Sequence, residues 1–237
     1  ALIPLVKVNG CAGMTVRNSY NCGVLGYHVE QLAEAGLVAI GFTNSPASIA
    51  PVGGNKPVIG TNPFAMAVPN SEGGAKFILD QSASVVAKSE IMMRAREEHT
   101  IPEGWALDAN GNPTTDPEVA LKGSMAPSGG YKGFGTGLMV EVMAAALSGA
   151  MLGIQASPFS GTGGGPPKTG QCFLALEPNA YSGPAFKERI TALTEAINSQ
   201  EGARLPGARR MENRKRIEIE GVHVSDSLLE KIKSYCV

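Results

Sequence analysis

Histidine is scarce in this chain, with three among 237 residues, and aromatic residues make up only 5%. Four cysteines, at 11, 22, 172 and 236, form no CxxC pair, which suits reduced thiols better than a disulfide framework or a zinc site. The histidines, at 28, 99 and 223, stand in no pattern expected of a Ser-His-Asp hydrolase or a His-metal centre. Each reads as a structural or surface residue, His99 on an exposed helix end and His223 in a short polar strand. Charge of one sign is missing too. Twenty Lys and Arg against 21 Asp and Glu leave a net charge of −1, which argues against nucleic acid as a partner. The longest apolar run, Leu138 to Leu152, is broken by Glu141 and is too short to span a bilayer. The opening "ALIPLVKVNG" is too short and too weakly flanked for a signal peptide. The expectation is a soluble cytoplasmic protein with no membrane partner and no bound metal.

Glycine and proline are abundant, at 30 and 16 residues, and imply many turns and close backbone approaches. With 43% hydrophobic residues the chain can bury the core of one large domain or two small ones. "GMTVRN" alternates as a strand does. Residues 24–35 carry helical spacing through Leu25, Val29 and Leu32, with Glu30 and Glu34 on the other face and Gly36 as the stop. "LVAIGFT" (37–43) is apolar throughout, as expected of a strand covered on both faces. A Gly/Pro/Asn-rich loop follows, then two short strands, "FAMAVP" and "KFILD". A helix is expected from "SASVVAKSEIMMRAREEH" (82–99), with Val85, Val86, Ile91 and Met92 inward, and the most hydrophobic helix over 133–152. The segment 107–117 reads as a turn-rich surface stretch, 157–170 as a flexible loop, and "QCFLALEP" as a buried strand. Alternating strands and helices give an α/β class with a mixed sheet and flanking helices. The expected organisation is an α/β core over 36–184, packed by a mainly helical region from 1–35 and 185–237 that is incomplete at its N terminus.

Several stretches offer chemistry. "GTGGGPPKT" (161–169) imitates a Walker A loop, yet Pro167 stands where a glycine must precede the lysine and has no N–H for a phosphate. "GGYKGFGTG" (129–137) lacks the third glycine of a dinucleotide fingerprint but sets Lys132 at the N-terminus of a long helix, a natural anion seat. "RLPGARR" (204–210) places three arginines around a Pro-Gly turn; their forks match phosphate or carboxylate, and a solvated charge run is the ordinary alternative. Gly60-Thr61-Asn62-Pro63 joins two apolar strands through a turn that can present a hydroxyl and backbone amides. Asp80, Lys88 and Glu90 are the best acid–base candidates, with ordinary surface ion pairing as the alternative.

In order along the chain, "RNSYNCGVLGY", "GLVAIGFTN", "IAPVGGNKPVIGTNPFAMAVP", "FILDQSAS", "LDANGNPTTDP", "APSGGYKGFGTGLMVEVMAAALSG", "TGQCFLALEP" and "RLPGARR" resemble segments of the malate/L-lactate dehydrogenase family. "TGQCFLALEP" and "RLPGARR" look like the branch that reduces Δ1-piperideine-2-carboxylate and Δ1-pyrroline-2-carboxylate. The resemblance implies a non-Rossmann fold that binds NADP or NAD, NADPH slightly preferred, and moves a hydride to or from C2 of a cyclic 2-imino acid or a 2-oxo or 2-hydroxy acid. It implies that Asn21, Cys22, Gly23, Val24 and Leu25 lie along the cofactor, held also by Asp80, Gln81 and Ser82. Gly130, Tyr131 and Lys132 would lie beside its phosphates, with the loop Arg204, Leu205, Pro206, Gly207, Ala208, Arg209 and Arg210. Thr61, Lys88 and Ser89 would face a small-molecule substrate, and Glu90 would match the acidic residue that partners a catalytic histidine. A homodimer is implied as well. The family's Ser-His-Gly segment and its arginine have no counterpart here, and Asn21 stands where many relatives have histidine. The alternatives are a malate/L-lactate-type dehydrogenase, or a non-catalytic or split-enzyme fragment.

Overall fold

A computed structural model describes residues 1–161 and 163–236. Helix α1 (Leu2–Asn9) leads into strand β1 (Cys11–Ser19) and helix α2 (Leu25–Glu34). Gly36 closes that helix at φ 84°, a conformation that glycine adopts without strain. Strands β2 (Val38–Thr43), β3 (Phe64–Pro69) and β4 (Ala75–Gln81) precede α3 (Lys88–Arg96). Short strands β5 (Ala106–Leu107), β6 (Pro113–Thr114) and, after helix α4 (Pro117–Lys122), β7 (Ser124–Met125) make a small second sheet. Helix α5 (Tyr131–Glu141) runs into a π-helical stretch, Val142–Ala146. Strand β8 (Thr169–Leu176) and helices α6 (Pro178–Ser182), α7 (Ala185–Asn198), α8 (Ala208–Glu220) and α9 (Asp226–Lys233) complete the described chain. Position 162, inside the loop expected at 157–170, lies outside the described residues.

The main sheet has the order β1-β8-β2-β3-β4, and every ladder in it is antiparallel. The one parallel pairing among the described residues is an isolated bridge, Ile49 to Met125, so the sheet is more uniformly antiparallel than expected. The α/β class with flanking helices holds. Side chains alternate across the sheet as pleating demands. On β8, Phe173 and Ala175 join Leu2, Val6, Leu25 and Val29 in one core, while Cys172 joins Phe42, Val140 and Ala144 in another. Helices α1 and α2 therefore cover one face and α5 with its π-helical extension the other, which is why β2 is apolar throughout. A third cluster, including Ile49, Ile59, Ile91 and Met125, packs α3 and α4 on the small sheet. Among the described residues no helix is long and apolar enough to cross a membrane.

Four local expectations fail, each for a physical reason. The helix expected from 82 starts only at Lys88, because the preceding stretch bonds to neighbouring loops. Ala83 N–H donates to Thr61 O at 2.8 Å and Val85 N–H to Ala126 O at 3.0 Å, and Val85 is exposed. The helix expected over 133–152 begins at Tyr131, ends its regular course at Glu141, and leaves the π-helical stretch before Gly149, whose φ is 71°. Glu30 is buried rather than turned to solvent, because Arg214 of α8 covers it. His223 lies exposed between α8 and α9 with no ladder partner, not in a strand.

Candidate functional site

The site is organised by the end of β4, an edge strand. Asp80 Oδ2 accepts the Gly26 N–H, in the first turn of α2, at 2.8 Å and lies 3.4 Å from Arg210 Nη1. A carboxylate at a helix N-terminus meets the positive end of the helix dipole and an orphan N–H. One turn earlier, Asn21 Oδ1 accepts the Gly23 N–H at 2.8 Å. The strand-to-helix knot thus fills part of its own anion seat with Asp80. Asn21, Gly23 and Val24 remain exposed, Leu25 is buried in the core, and Cys22 is half-buried against it. Burial pushes the Cys22 thiol above its ordinary pKa, so it stays protonated near neutrality. His28 Nε2 lies 2.9 Å from Cys22 O, and its ring sits 5.9 Å from that of Phe173.

The arginine loop docks on the same edge. Pro206 O accepts the Ile78 N–H at 3.2 Å, and Gly207 turns there at φ 83°. A Cβ on residue 207 would come within 2.8 Å of Ile78 O, so the contact requires glycine. Arg204, Leu205, Pro206, Gly207, Ala208, Arg209 and Arg210 thereby meet Asp80 and Gln81 around an open cleft of about 440 Å³. Its donor set is plain: exposed guanidinium forks suited to phosphate, and one carboxylate suited to hydroxyl donors. A phosphorylated ribose dinucleotide carries groups complementary to both, phosphates for guanidinium forks and hydroxyls for a carboxylate. A larger cleft of about 570 Å³, near Lys76, Phe186 and Lys187, contains none of the expected site residues.

The remaining candidates occupy neighbouring or separate positions. Ser82, half-buried, shares a 3.1 Å hydroxyl contact with Ser84. The 82–84 stretch is stitched to the entry of α5 by Ser128 N–H donating to Ala83 O at 2.8 Å. Gly130, Tyr131 and Lys132 form that entry, all exposed and outside the lining of the arginine cleft. Thr61 is fixed by Ser45: its N–H donates to Ser45 Oγ at 3.0 Å, and the two hydroxyls lie 3.3 Å apart. Lys88 and Ser89 are exposed at the start of α3. Glu90 pairs with Arg94 at 3.4 Å, whereas Asp80 pairs with Arg210, so the expected acid–base cluster is divided between two partners.

Three features escaped sequence reasoning. Arg214 grips Glu30 with two parallel bonds of 2.8 and 2.9 Å, which raise the arginine further above its ordinary value. The spacing of Arg210 and Arg214, one helical turn apart, was the available signal. Glu141, visible as an interruption of the most apolar helix, accepts from Asn62 Nδ2 at 2.7 Å and from the Gly153 N–H at 2.6 Å. Tyr20 donates its hydroxyl to Phe159 O, with the two rings 5.2 Å apart, tying the knot to the glycine-rich loop.

Comparison with known proteins bears on the family and the fold. The family model described as malate/L-lactate dehydrogenase matches residues 1–233. A (2R)-3-sulfolactate dehydrogenase (NADP(+)) of Chromohalobacter salexigens is 42% identical over 99% of this chain and 70% of that protein. A Δ1-pyrroline-2-carboxylate reductase of Pseudomonas fluorescens is 39% identical over 96% of this chain and 68% of that protein. Among solved structures, Δ1-piperideine-2-carboxylate reductase from Pseudomonas syringae pvar. tomato superposes with a TM-score of 0.90 at 32% identity, covering 98% of this chain and 70% of that one.

Proposed function

The chain belongs to the malate/L-lactate dehydrogenase family, and from that premise we propose that it transfers a hydride between NADP(H) and C2 of a small cyclic 2-imino acid. Δ1-Pyrroline-2-carboxylate and Δ1-piperideine-2-carboxylate are the preferred substrates, ahead of 2-oxo and 2-hydroxy acids. The observation that carries the reading is the meeting of Asp80 and Gln81 with the Arg204 to Arg210 loop in one cleft. When bound, the nicotinamide supplies or accepts the hydride. The chain's own residues bind and orient. The exposed arginines take the phosphates, and Asp80, already steered by Gly26 N–H and Arg210, takes ribose hydroxyls. The 21–25 knot and the 130–132 helix entry border the cofactor. Thr61, Lys88 and Ser89 face the substrate, and Glu90 orients the proton donor. A homodimer in the cytoplasm belongs to the same proposal, and four free thiols are consistent with a reducing compartment.

A specific observation favours a second reading, in which the proton donor lies outside residues 1–237. His28 is engaged with Cys22 O and Phe173, His99 with Glu97, and His223 is exposed beyond α8. Among the described residues none of the three side chains hydrogen-bonds or ion-pairs with Thr61, Lys88, Ser89 or Glu90. One assay separates the readings: the purified chain, NADPH or NADH, and each of Δ1-pyrroline-2-carboxylate, Δ1-piperideine-2-carboxylate, 3-sulfopyruvate, oxaloacetate and pyruvate, followed at the nicotinamide absorbance band. Turnover of a cyclic imine with NADPH supports the first reading and sinks the second. Turnover confined to a 2-oxo acid replaces the substrate class. NADPH binding without any oxidation would overturn the first reading.

A further inference from the structure

The buried polar tie between α5 and the turn that carries Thr61 has no part in the roles given so far. Asn62 is fully buried at 0% exposure and sits at φ 40°, a left-handed conformation that a non-glycine residue holds only when its surroundings fix it. Every polar atom of its side chain is engaged. Oδ1 accepts the Ser45 N–H at 3.2 Å, and Nδ2 donates to Gly137 O at 2.9 Å and to Glu141 Oε2 at 2.7 Å. The other oxygen of Glu141 accepts the Gly153 N–H at 2.6 Å. Glu141 is itself buried, without a described cation beside it, at the junction where α5 becomes π-helical. A buried carboxylate is costly unless its oxygens are satisfied, and here both accept from groups that fix separate loops. The 44–48 segment and the 60–63 turn meet at Asn62, and the 150–155 segment joins them through Glu141. A Cβ on Gly153 would lie 3.0 Å from Ser45 O and 3.3 Å from Gly60 N, a measure of how closely the three are drawn together.

We propose that Glu141 and Asn62 are a positioning pair that holds the Thr61 hydroxyl in its working orientation toward the substrate. The inference rests on the reading of Thr61 as a substrate-facing residue. The chain of causes is short. Glu141 orients the Asn62 amide, whose oxygen holds the Ser45 backbone. The Ser45 hydroxyl in turn accepts the Thr61 N–H and touches Thr61 Oγ1. A carboxylate is needed at 141 because both of its contacts are donors; a glutamine must turn its NH₂ toward one of them.

The test compares Glu141→Gln, Thr61→Val and their double variant, measuring kcat and KM for Δ1-pyrroline-2-carboxylate, NADPH affinity by fluorescence, and thermal stability. Glu141→Gln is expected to lower kcat/KM by roughly 10- to 100-fold, the cost of a slightly misplaced catalytic contact, with NADPH affinity unchanged. The double variant is expected to be no worse than Thr61→Val alone. Asn62→Gly, which keeps the left-handed backbone but removes the amide, should show the same pattern if Glu141→Gln folds poorly. Thr61→Val impaired with Glu141→Gln and Asn62→Gly at wild-type activity overturns the positioning pair but leaves Thr61 in place. Thr61→Val at wild-type activity overturns the reading of Thr61 and this proposal with it. Additive losses in the double variant, or a parallel loss of NADPH affinity, mean that the pair acts through something other than Thr61.

Discussion

Arg214→Ala offers a perturbation whose size follows from geometry. Helix α8 has no fully buried residue, so little apolar contact holds it to the body of the protein. Its described polar attachments to that body are Arg214 to Glu30 and Arg210 to Asp80, of which the first is short and bidentate. Hydrogen bonds to charged groups contribute about 1.5–3 kcal/mol each, but the Arg214 side chain is 46% exposed, so the pair as a whole belongs in that range. Loss of the arginine leaves the Glu30 carboxylate desolvated. If α8 then swings away, water reaches Glu30, and the cost is capped at the free energy of docking the helix. The variant should therefore loosen α8 without unfolding the sheet. Hydrogen exchange across 208–220 should speed up by roughly 10- to 100-fold, since about 1.4 kcal/mol corresponds to a factor of ten, while β2 and β8 stay protected. Glu30→Gln in the same background should add little further loss, because the two residues act as one pair. Unchanged exchange in α8, or equal acceleration in β8, would refute the idea that this pair is its main anchor.

Two further outcomes test the site. Arg209→Ala should weaken NADPH binding by roughly tenfold, the loss of one exposed charge-assisted contact, with a smaller effect on kcat; unchanged affinity in a fluorescence titration counts against the arginine cleft. Burial raises the thiol pKa of Cys22 and Cys172, so little reactive thiolate forms there near neutrality, whereas Cys11 and Cys236 are open to reagent. Iodoacetamide at about pH 8 should label Cys11 and Cys236 first, and mass spectrometry showing Cys22 as the fastest site would contradict the packing role given to it.

What could be read in advance was what local chemistry dictates. Gly36 marks a helix end because only its backbone tolerates the left-handed turn. "FAMAVP" is a strand in the structure with the bounds its pattern gives, and the turn that gathers three arginines around Pro206-Gly207 was visible as a turn. The family resemblance, carried by segments in the right order, holds along 1–233. What stayed hidden depends on residues distant along the chain. Glu30 meets Arg214 across 184 positions and Asn62 meets Glu141 across 79, and no periodicity within either segment reports such a partner. Glu30 looked solvent-facing because a carboxylate on a helix ordinarily is. The start of α3 is hidden for the same reason: Ala83 and Val85 spend their N–H groups on loops that arrive from elsewhere.

The docking of the arginine loop on β4 has a consequence unrelated to ligands. A sheet in the order β1-β8-β2-β3-β4 leaves β4 with an unpaired flank, and an open flank is a template on which other chains can assemble. Pro206 O occupies the Ile78 N–H on that flank, and Pro206, having no N–H of its own, offers nothing for a further strand to continue the ladder. The loop thus covers part of the edge on which another strand could pair. Changes within 204–210 are therefore expected to bear on solubility, whatever they do to the proposed cofactor binding, and poor expression of a loop variant would point to an uncovered strand.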